Sequence, residues 1–412
     1  MSTLTLSHPA TDEDWARLLA FNQLVAGAGD ASTTVHAYRE RPDLKASDHA
    51  FLAEPDGAIV GTASLLPHHH YFGDAELEVG ELTLVGTHPE RRLEGHAKRL
   101  IGHWLEVAQE RSYAYVYVYG EARVYTSFGF TYAAPSPRYA SLRMAREVLE
   151  PVLSPFRVRP LIQADIPLLE DLYDRINCTT PMAEVRTHDY WMYRLARTHR
   201  GGFGWWVAVD ADNVPHGYVW ADLEQARLRE VVCADEEACR AILQWMRWEL
   251  TERKLAEFTA QVPLNQLFAR YAHRCGALQG HPHALFPGNA AALVRVLRMQ
   301  PLLEGLRPVF ERRLADSRFG RDNFDVTFVR PGATGDEAVY LRWVGQRVQL
   351  GPGYSGHEVR LPANVWTPLL MGYCGIDELP HVEVSEPERQ LLRALFVGGY
   401  PYIWDLELAD TL

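Results

Sequence analysis

Two short stretches of this 412-residue chain place residue types at spacings that could do chemistry. The first is Thr83-Leu84-Val85-Gly86-Thr87-His88-Pro89-Glu90-Arg91-Arg92-Leu93-Glu94-Gly95-His96-Ala97-Lys98-Arg99-Leu100. An apolar run enters a turn with the pattern Arg92-x-x-Gly95-x-Ala97, after which Leu100, Ile101, Trp104, Leu105 and Ala108 recur at helical spacing. The first turn of a helix offers unpaired backbone N–H groups and the positive end of its dipole. Small residues at 95 and 97 let an anion approach that backbone, and Arg91, Arg92 and Lys98 add positive charge. The pattern predicts a pyrophosphate cradle; its alternative is an ordinary capped strand–helix turn. A dinucleotide fingerprint would need three glycines, and a P-loop would need Gly-Lys-Ser/Thr.

The second stretch is Tyr125-x-x-Phe128-Gly129-Phe130, which follows the β-prone run Tyr113–Tyr119. A phenol can give up a proton to a strongly basic leaving group, although Tyr125 could equally be a half-buried aromatic packed beside Phe128. The two motifs in this order resemble the GNAT acetyltransferase superfamily. There Gln/Arg-x-x-Gly-x-Gly/Ala holds the pyrophosphate of coenzyme A, and Tyr-x-x-Phe-Gly-Phe/Tyr closes the domain.

The elements that must carry these motifs are legible over residues 1–145. Asp12-Glu13-Asp14 open a helix through Trp15, Leu18, Leu19 and Phe21. Pro55-Asp56-Gly57 joins two strands, Phe51–Glu54 and Ala58–Ala63, as a hairpin. Glu81–Thr87 is a strand, and a helix is expected over 95–111. Pro135, Pro137, Pro151 and Pro155 punctuate the next join. Residues 156–290 begin again with a strand, a turn and a helix. Strands are expected around Trp205–Val209 and Gly217–Trp220, then a helix over 236–253. The turn before that helix, Val232-Cys233-Ala234-Asp235-Glu236-Glu237, has no glycine and carries three acids. It would repel a pyrophosphate, so 156–290 is expected to be a second, degenerate GNAT-like domain. A different α/β fold is the alternative. Residues 299–412 read as strands then helices, an α+β module without a chemistry motif.

This order resembles the enhanced intracellular survival (Eis) family, through Leu369-Leu370-Met371-Gly372-Tyr373, Leu392-Arg393-Ala394-Leu395-Phe396 and Pro401-Tyr402 in the last segment. The resemblance implies an α/β (α+β) chain of two mixed-sheet GNAT-like domains and a sterol-carrier-protein-like C-terminal domain. It implies acetyl-CoA-dependent N-acetylation of amines such as aminoglycosides, polyamines or lysine side chains, in homo-oligomers that are often hexamers. Carried over by residue, Val85, Gly86 and Thr87 would pair with the pantetheine arm. Arg92, Leu93, Glu94, Gly95, His96, Ala97 and Lys98 would form the pyrophosphate turn. Gly120 and Glu121 would sit where two strands splay, and Tyr125 would be the general acid.

The chemistry asks for such groups. An amine attacking a thioester makes a tetrahedral oxyanion and expels a thiolate, which a phenol in hydrogen-bond reach can protonate and backbone N–H groups can stabilise. For the base, the resemblance implies the terminal α-carboxylate, here Leu412 rather than the usual aromatic, on a tail that looks longer. Glu81, eleven residues before Arg92, competes for the role, and bulk water is a third option. A function from another class is a CoA-binding regulatory or lipid- or partner-binding protein with a silent GNAT domain. A tandem acyltransferase of the mycothiol synthase kind is a third reading, against which the extra length counts.

Composition narrows the rest. A net charge of −12 argues against nucleic acid as the main partner; it would suit a cationic substrate, but the acidity is more simply read as what keeps the chain in solution. Met1-Ser2-Thr3-Leu4-Thr5-Leu6 lacks the regions of a signal peptide, and no apolar run is long enough for a membrane span. Five cysteines, an odd number without a Cys-x-x-Cys, read as reduced thiols of a cytoplasmic protein. His68-His69-His70 is expected to be a polar strand end or loop rather than a metal site, and His96 and His103 to lie on the helix surface.

Overall fold

The first helix starts as its acids predict. In the computed structural model α1 (Asp12–Ala26) opens where the Thr11 hydroxyl accepts the Asp14 N–H at 3.2 Å and the Asp14 carboxylate accepts the Thr11 N–H at 3.0 Å. The structure describes residues 4–26, 39–135, 142–149, 153–197, 203–279, 291–332, 335–379, 381–399 and 401. It divides into two compact units, one of Met1–Ala134 with Ala291–Gly399, the other of Pro135–Ala290.

In the first unit, β1 (Thr5–Ser7) pairs with β2 (His49–Ala53). The Pro55-Asp56-Gly57 turn, with Gly57 at φ 90°, leads antiparallel into β3 (Ile59–Phe72). β3 and β4 (Ala75–Thr87) form a long hairpin. Then come α2 (His96–Glu110), β5 (Tyr115–Val118) parallel to β4, the short α3 (Ala122–Tyr125) and β6 (Thr131–Pro135). The predicted stripe of α2 (Leu100, Ile101, Trp104, Leu105, Ala108) packs on Ala63, Leu65, Leu82, Val116 and Val118. The buried Trp104 indole donates to the Ala63 carbonyl at 3.1 Å, so its one polar atom is satisfied.

The sheet order is β1-β2-β3-β4-β5-β14-β6, and β14 is Ala291–Val296. Leu293 faces Val118 and Arg295 faces Val116 in the antiparallel β5–β14 ladder.

The second unit contains β7 (Leu142–Ala145), β8 (Arg157–Pro160), α4 (Ile166–Asn177), α5 (His188–Arg197), β9 (Phe203–Val209), β10 (Pro215–Asp222) and β11 (Arg227–Cys233). These are followed by α6 (Glu236–Glu252), β12 (Glu257–Ala260), α7 (Leu267–Arg274) and β13 (Leu278–Gln279). Its sheet order, β8-β9-β10-β11-β12-β7-β13, repeats the first sheet position for position. In both, the fourth and fifth strands run parallel and the fifth pairs antiparallel with a strand from elsewhere in the chain. Each sheet takes that inserted strand from the segment that follows the other sheet's last strand. Residues 142–145, contiguous in sequence with the first sheet, are thus part of the second.

Residues 299–399 form a third sheet, β17 (Arg347–Pro352), β16 (Glu337–Val344), β15 (Phe324–Arg330) and β18 (His357–Arg360), with β15 and β18 parallel. Helices α8 (Met299–Gly305), α9 (Arg307–Ala315), α10 (Ala363–Leu370) and α11 (Glu386–Leu395) accompany it. Trp366, Phe328 and Phe396 meet edge to face, with ring centroids 5.3–5.9 Å apart. This module joins the first sheet at the β3–β4 turn. Gly305 accepts the Asp74 N–H at 3.0 Å, and Gly73, at φ 62°, leaves no room there for a Cβ.

His68-His69-His70 lies toward the end of β3, two residues before its last, and alternation leaves His69 exposed while His68 and His70 are buried. The His70 Nδ1 lies 2.6 Å from the Tyr115 hydroxyl. His96 is buried too, not on the surface.

Candidate active site

The site begins with a break in a ladder. β4 pairs with β5 at Gly80↔Val116 and Glu81↔Tyr117, and the pairing stops there. From Leu82 to Thr87, β4 keeps β3 on one side and opens on the other. Within this stretch Leu84 and Val85 together oppose a single residue of β3, with Leu84 at φ 49°. Such a bulge turns backbone groups out of the ladder. Val85 packs on the α2 core, Gly86 is buried, and Thr87 is half-buried. Gly61 on β3 lets this region close up, because a Cβ there would stand 3.2 Å from Leu100, 3.4 Å from the Gly86 carbonyl and 3.5 Å from His96.

The turn after β4 ends on Gly95, the N-cap of α2, at φ 86°. No side chain caps the helix, its first turn holds no acid, and a Cβ at Gly95 would meet nothing within 4 Å. The first-turn N–H groups of His96, Ala97 and Lys98 therefore carry no side-chain cap and lie beside open space at Gly95. Leu93 is fully exposed at φ 69°. Arg91 is not a free cation, contrary to the sequence expectation. It bonds Glu94 at 2.9 and 3.0 Å and also holds Glu54. Glu94 in turn lies 3.2 Å from the His96 Nε2. An acid that would repel a diphosphate is thereby neutralised, while Arg92 and Lys98 are exposed without an ion pair among the described residues. The cradle fits a diphosphate.

Gly120 and Tyr125 are brought together at the end of β5. The Tyr125 ring lies against Gly120 so closely that a Cβ there would approach its Cε2 to 2.5 Å. Glu121 is the exposed N-cap of α3 and pairs with Arg123 at 3.3 Å. Tyr125 is 7% exposed, in the same cluster as Leu100, Val118 and Phe130. Burial pushes its phenol up to about 12, which keeps it a proton donor at any ordinary pH. Glu81 is buried at the last β4 position paired with β5, and its carboxylate stands 3.3 Å from the His68 Nε2. Leu412 lies outside the described residues.

The same positions in the second sheet are filled differently. α6 is capped by Asp235, whose carboxylate accepts the Ala238 N–H at 2.8 Å and contacts His216 at 2.7 Å. Gly276, at φ 93°, follows α7 as Gly129, at φ 81°, follows α3. Four residues before the glycine stands Tyr125 in one sheet and Ala272 in the other. On β11 the fully buried Glu230 accepts two bonds from Arg186 (2.7 and 2.9 Å), one from Arg194 (2.9 Å) and one from Tyr218 (2.5 Å). Burial raises its carboxyl, but the two guanidinium groups outweigh that and hold it at about 2.

Among the described residues no cluster of three or more His, Cys, Asp or Glu could hold a metal, and no helix is long and apolar enough to cross a membrane. All five cysteines are free.

Residues 7–133 match the family model described as an acetyltransferase (GNAT) domain, and this part of the chain is an acetyltransferase domain of that class. Enzymes of the class use acetyl-CoA and act on small amines. No curated protein matches by sequence. Solved structures match nearly the whole length. A probable N-acyltransferase from Enterococcus faecalis aligns over 98% of this chain and 100% of its own, with TM-score 0.75 and 13% identity. A GCN5-related N-acetyltransferase from Anabaena variabilis aligns over the same shares, with TM-score 0.73 and 16% identity. Eis1 from Mycobacterium abscessus does so with TM-score 0.67 and 14% identity. These are likenesses of fold.

Sequence reasoning missed three contributors. Gly61 had a signal, a glycine inside a β-prone run. The bulge at Leu84 had none, because a leucine at positive φ leaves no compositional trace. The third, Arg295, comes from the inserted strand and donates its Nη1 to the Phe128 carbonyl at 2.8 Å.

Proposed function

We propose that the chain is an acetyl-CoA-dependent N-acetyltransferase of primary amines, working at the first sheet. The observation that carries this reading is the pairing of an uncapped α2 N-terminus at Gly95 with a buried phenol, Tyr125, in one core cluster. His96, Ala97 and Lys98 would hold the diphosphate through main-chain N–H groups, assisted by Arg92 and Lys98 side chains. The open edge of Val85–Thr87 would pair with the amide-bearing arm as an added strand. Backbone N–H groups turned out at the bulge would polarise the thioester carbonyl, and Tyr125 would give its proton to the departing thiolate. Glu81 and the Leu412 carboxylate remain the two candidates for accepting the amine proton. The burial of Glu81 beside His68 supports the first.

On this reading residues 156–290 are a degenerate copy, for Asp235 fills the cap that Gly95 leaves open. The module from 299 is sterol-carrier-like, and the chain is an Eis-like cytoplasmic homo-oligomer taking an aminoglycoside, polyamine or lysine-like acceptor. The test is calorimetric titration with CoA, followed by thiol release from acetyl-CoA across diverse amines. Saturable CoA binding with amine-dependent release is expected. Binding without release on any amine would favour a silent, CoA-holding protein, and no binding would end the proposal.

A further inference from the structure

Arg295 lies on β14, more than 150 residues after the acetyltransferase motifs, yet it reaches the turn that carries Tyr125. Its Nη1 donates to the Phe128 carbonyl at 2.8 Å. A Cβ on Gly129 would stand 3.9 Å from its Nε, so the guanidinium spans the end of the 122–128 segment. The Tyr125 and Thr126 carbonyls take the N–H groups of Phe130 and Gly129, and the Phe128 carbonyl takes the guanidinium, a charge-assisted bond. The strand that carries it is fixed from behind. β14 runs in the sheet between β5 and β6, Leu293 joins the Tyr125 cluster, and Arg330 donates to the carbonyls of Val296 and Leu297, the latter at 2.9 Å.

The second sheet supplies an independent contrast. Arg295 faces Val116, the second residue of the fifth strand, and in the other sheet the partner of the second residue, Phe258, is Met144. Met144 lines a cleft with Cys275 and Gly276, the counterparts of Phe128 and Gly129. Where the phenol is replaced by Ala272, the cation is replaced by a thioether.

We propose that Arg295 is a positioning residue of the acetyl-transfer site, holding the Phe128 carbonyl so that the Tyr125 phenol stands where a thiolate leaves. The proposal rests on the acetyltransferase reading above. It makes the site incomplete in residues 7–133 alone, because one of its supports arrives on the inserted strand. The test uses the full chain with Arg295→Met, the residue the other sheet uses, and Arg295→Lys and Arg295→Gln beside it. A small displacement of a reacting group costs on the order of a hundredfold in rate, so Arg295→Met is expected to lower kcat by about that factor. KM for acetyl-CoA should change less than about twofold, since the cradle is untouched. Arg295→Lys should recover part of kcat, because an ammonium can still meet the carbonyl.

Fluorotyrosine placed at position 125 gives a second readout, a fluorine resonance expected to shift or broaden in Arg295→Met and to be partly restored in Arg295→Lys. An unchanged kcat and an unchanged resonance would overturn the proposal. So would an equal loss in kcat and in CoA affinity, which would mark a merely structural residue. If the methionine variant does not fold, Arg295→Gln answers the same question. Should the wild-type chain transfer no acetyl group, the catalytic reading falls by itself, and the fluorine signal still decides whether Arg295 sets the place of Tyr125.

Discussion

Gly95 and Asp235 occupy the same place in two sheets of one topology, and they do opposite things. Each ends the turn between a fourth strand and the helix that follows it. Asp235 spends its carboxylate on its own helix and leaves nothing for a ligand. Gly95 has no side chain to spend, so the positive end of α2 stays open. The contrast extends to the phenol, where Tyr125 answers to Ala272, and to the strand edge. In the second sheet, Glu230, Arg186 and Arg194 fill the interior with a buried ion cluster. On the proposed reading the second sheet keeps the fold and closes the site, by capping the helix and packing charge against charge, and the two sheets differ in which polar groups their helix termini leave open.

The comparison can be broken most sharply by giving the first turn the second turn's cap. A carboxylate opposed to a diphosphate costs several kcal/mol, so Gly95→Asp should weaken CoA binding on the order of a thousandfold. Calorimetry checks this, and ordinary affinity would mean that the cradle lies elsewhere. Next in size is Tyr125→Phe. Removing a general acid should lower kcat by about 10²- to 10⁴-fold with CoA affinity nearly constant; unchanged turnover would take the phenol out of the mechanism.

The pH dependence follows from the direction of the shift. With the folded phenol near 12, above the ordinary value of about 10, the acid stays protonated and kcat should show no alkaline fall from Tyr125 below about pH 11. By the same linkage Tyr125 contributes stability that is complete below about pH 10 and is lost as pH rises toward 12.

In the second unit, Glu230→Gln would strand two buried guanidinium groups and cost about 3–5 kcal/mol. Hydrogen exchange in α5 and β11 should report the loss. Because Glu230 is held at about 2, its contribution is present above about pH 4.5 and fades as pH falls toward 2. The smallest effect is expected from Asp235→Ala, a loss of about 1 kcal/mol in α6 with no gain of CoA binding. A gain would show that capping alone keeps the second site closed.

Much of this was legible in the residues. The hairpin at Pro55-Asp56-Gly57, the apolar stripe of α2 and the glycine at its head each follow from a local rule, and so does the acid-rich turn at Asp235. What escaped reading depends on partners far along the chain. Arg91 read as added positive charge at the turn, because nothing nearby says that Glu54 will hold it. The histidines near the end of β3 read as polar, and nothing local says that the hairpin will bury two of them. Strand 142–145 reads as the natural continuation of the first sheet, and its pattern does not say which sheet it will join.

That crossing of strands sets a timetable for synthesis. The ribosome delivers the acetyltransferase half first, but its sheet lacks a member until residue 296 has emerged. The second sheet, whose borrowed strand has already been made, can close once residue 279 is out. The half translated first is the half completed last, and until then β5 presents a bare edge that a chaperone or a neighbouring nascent chain could bind.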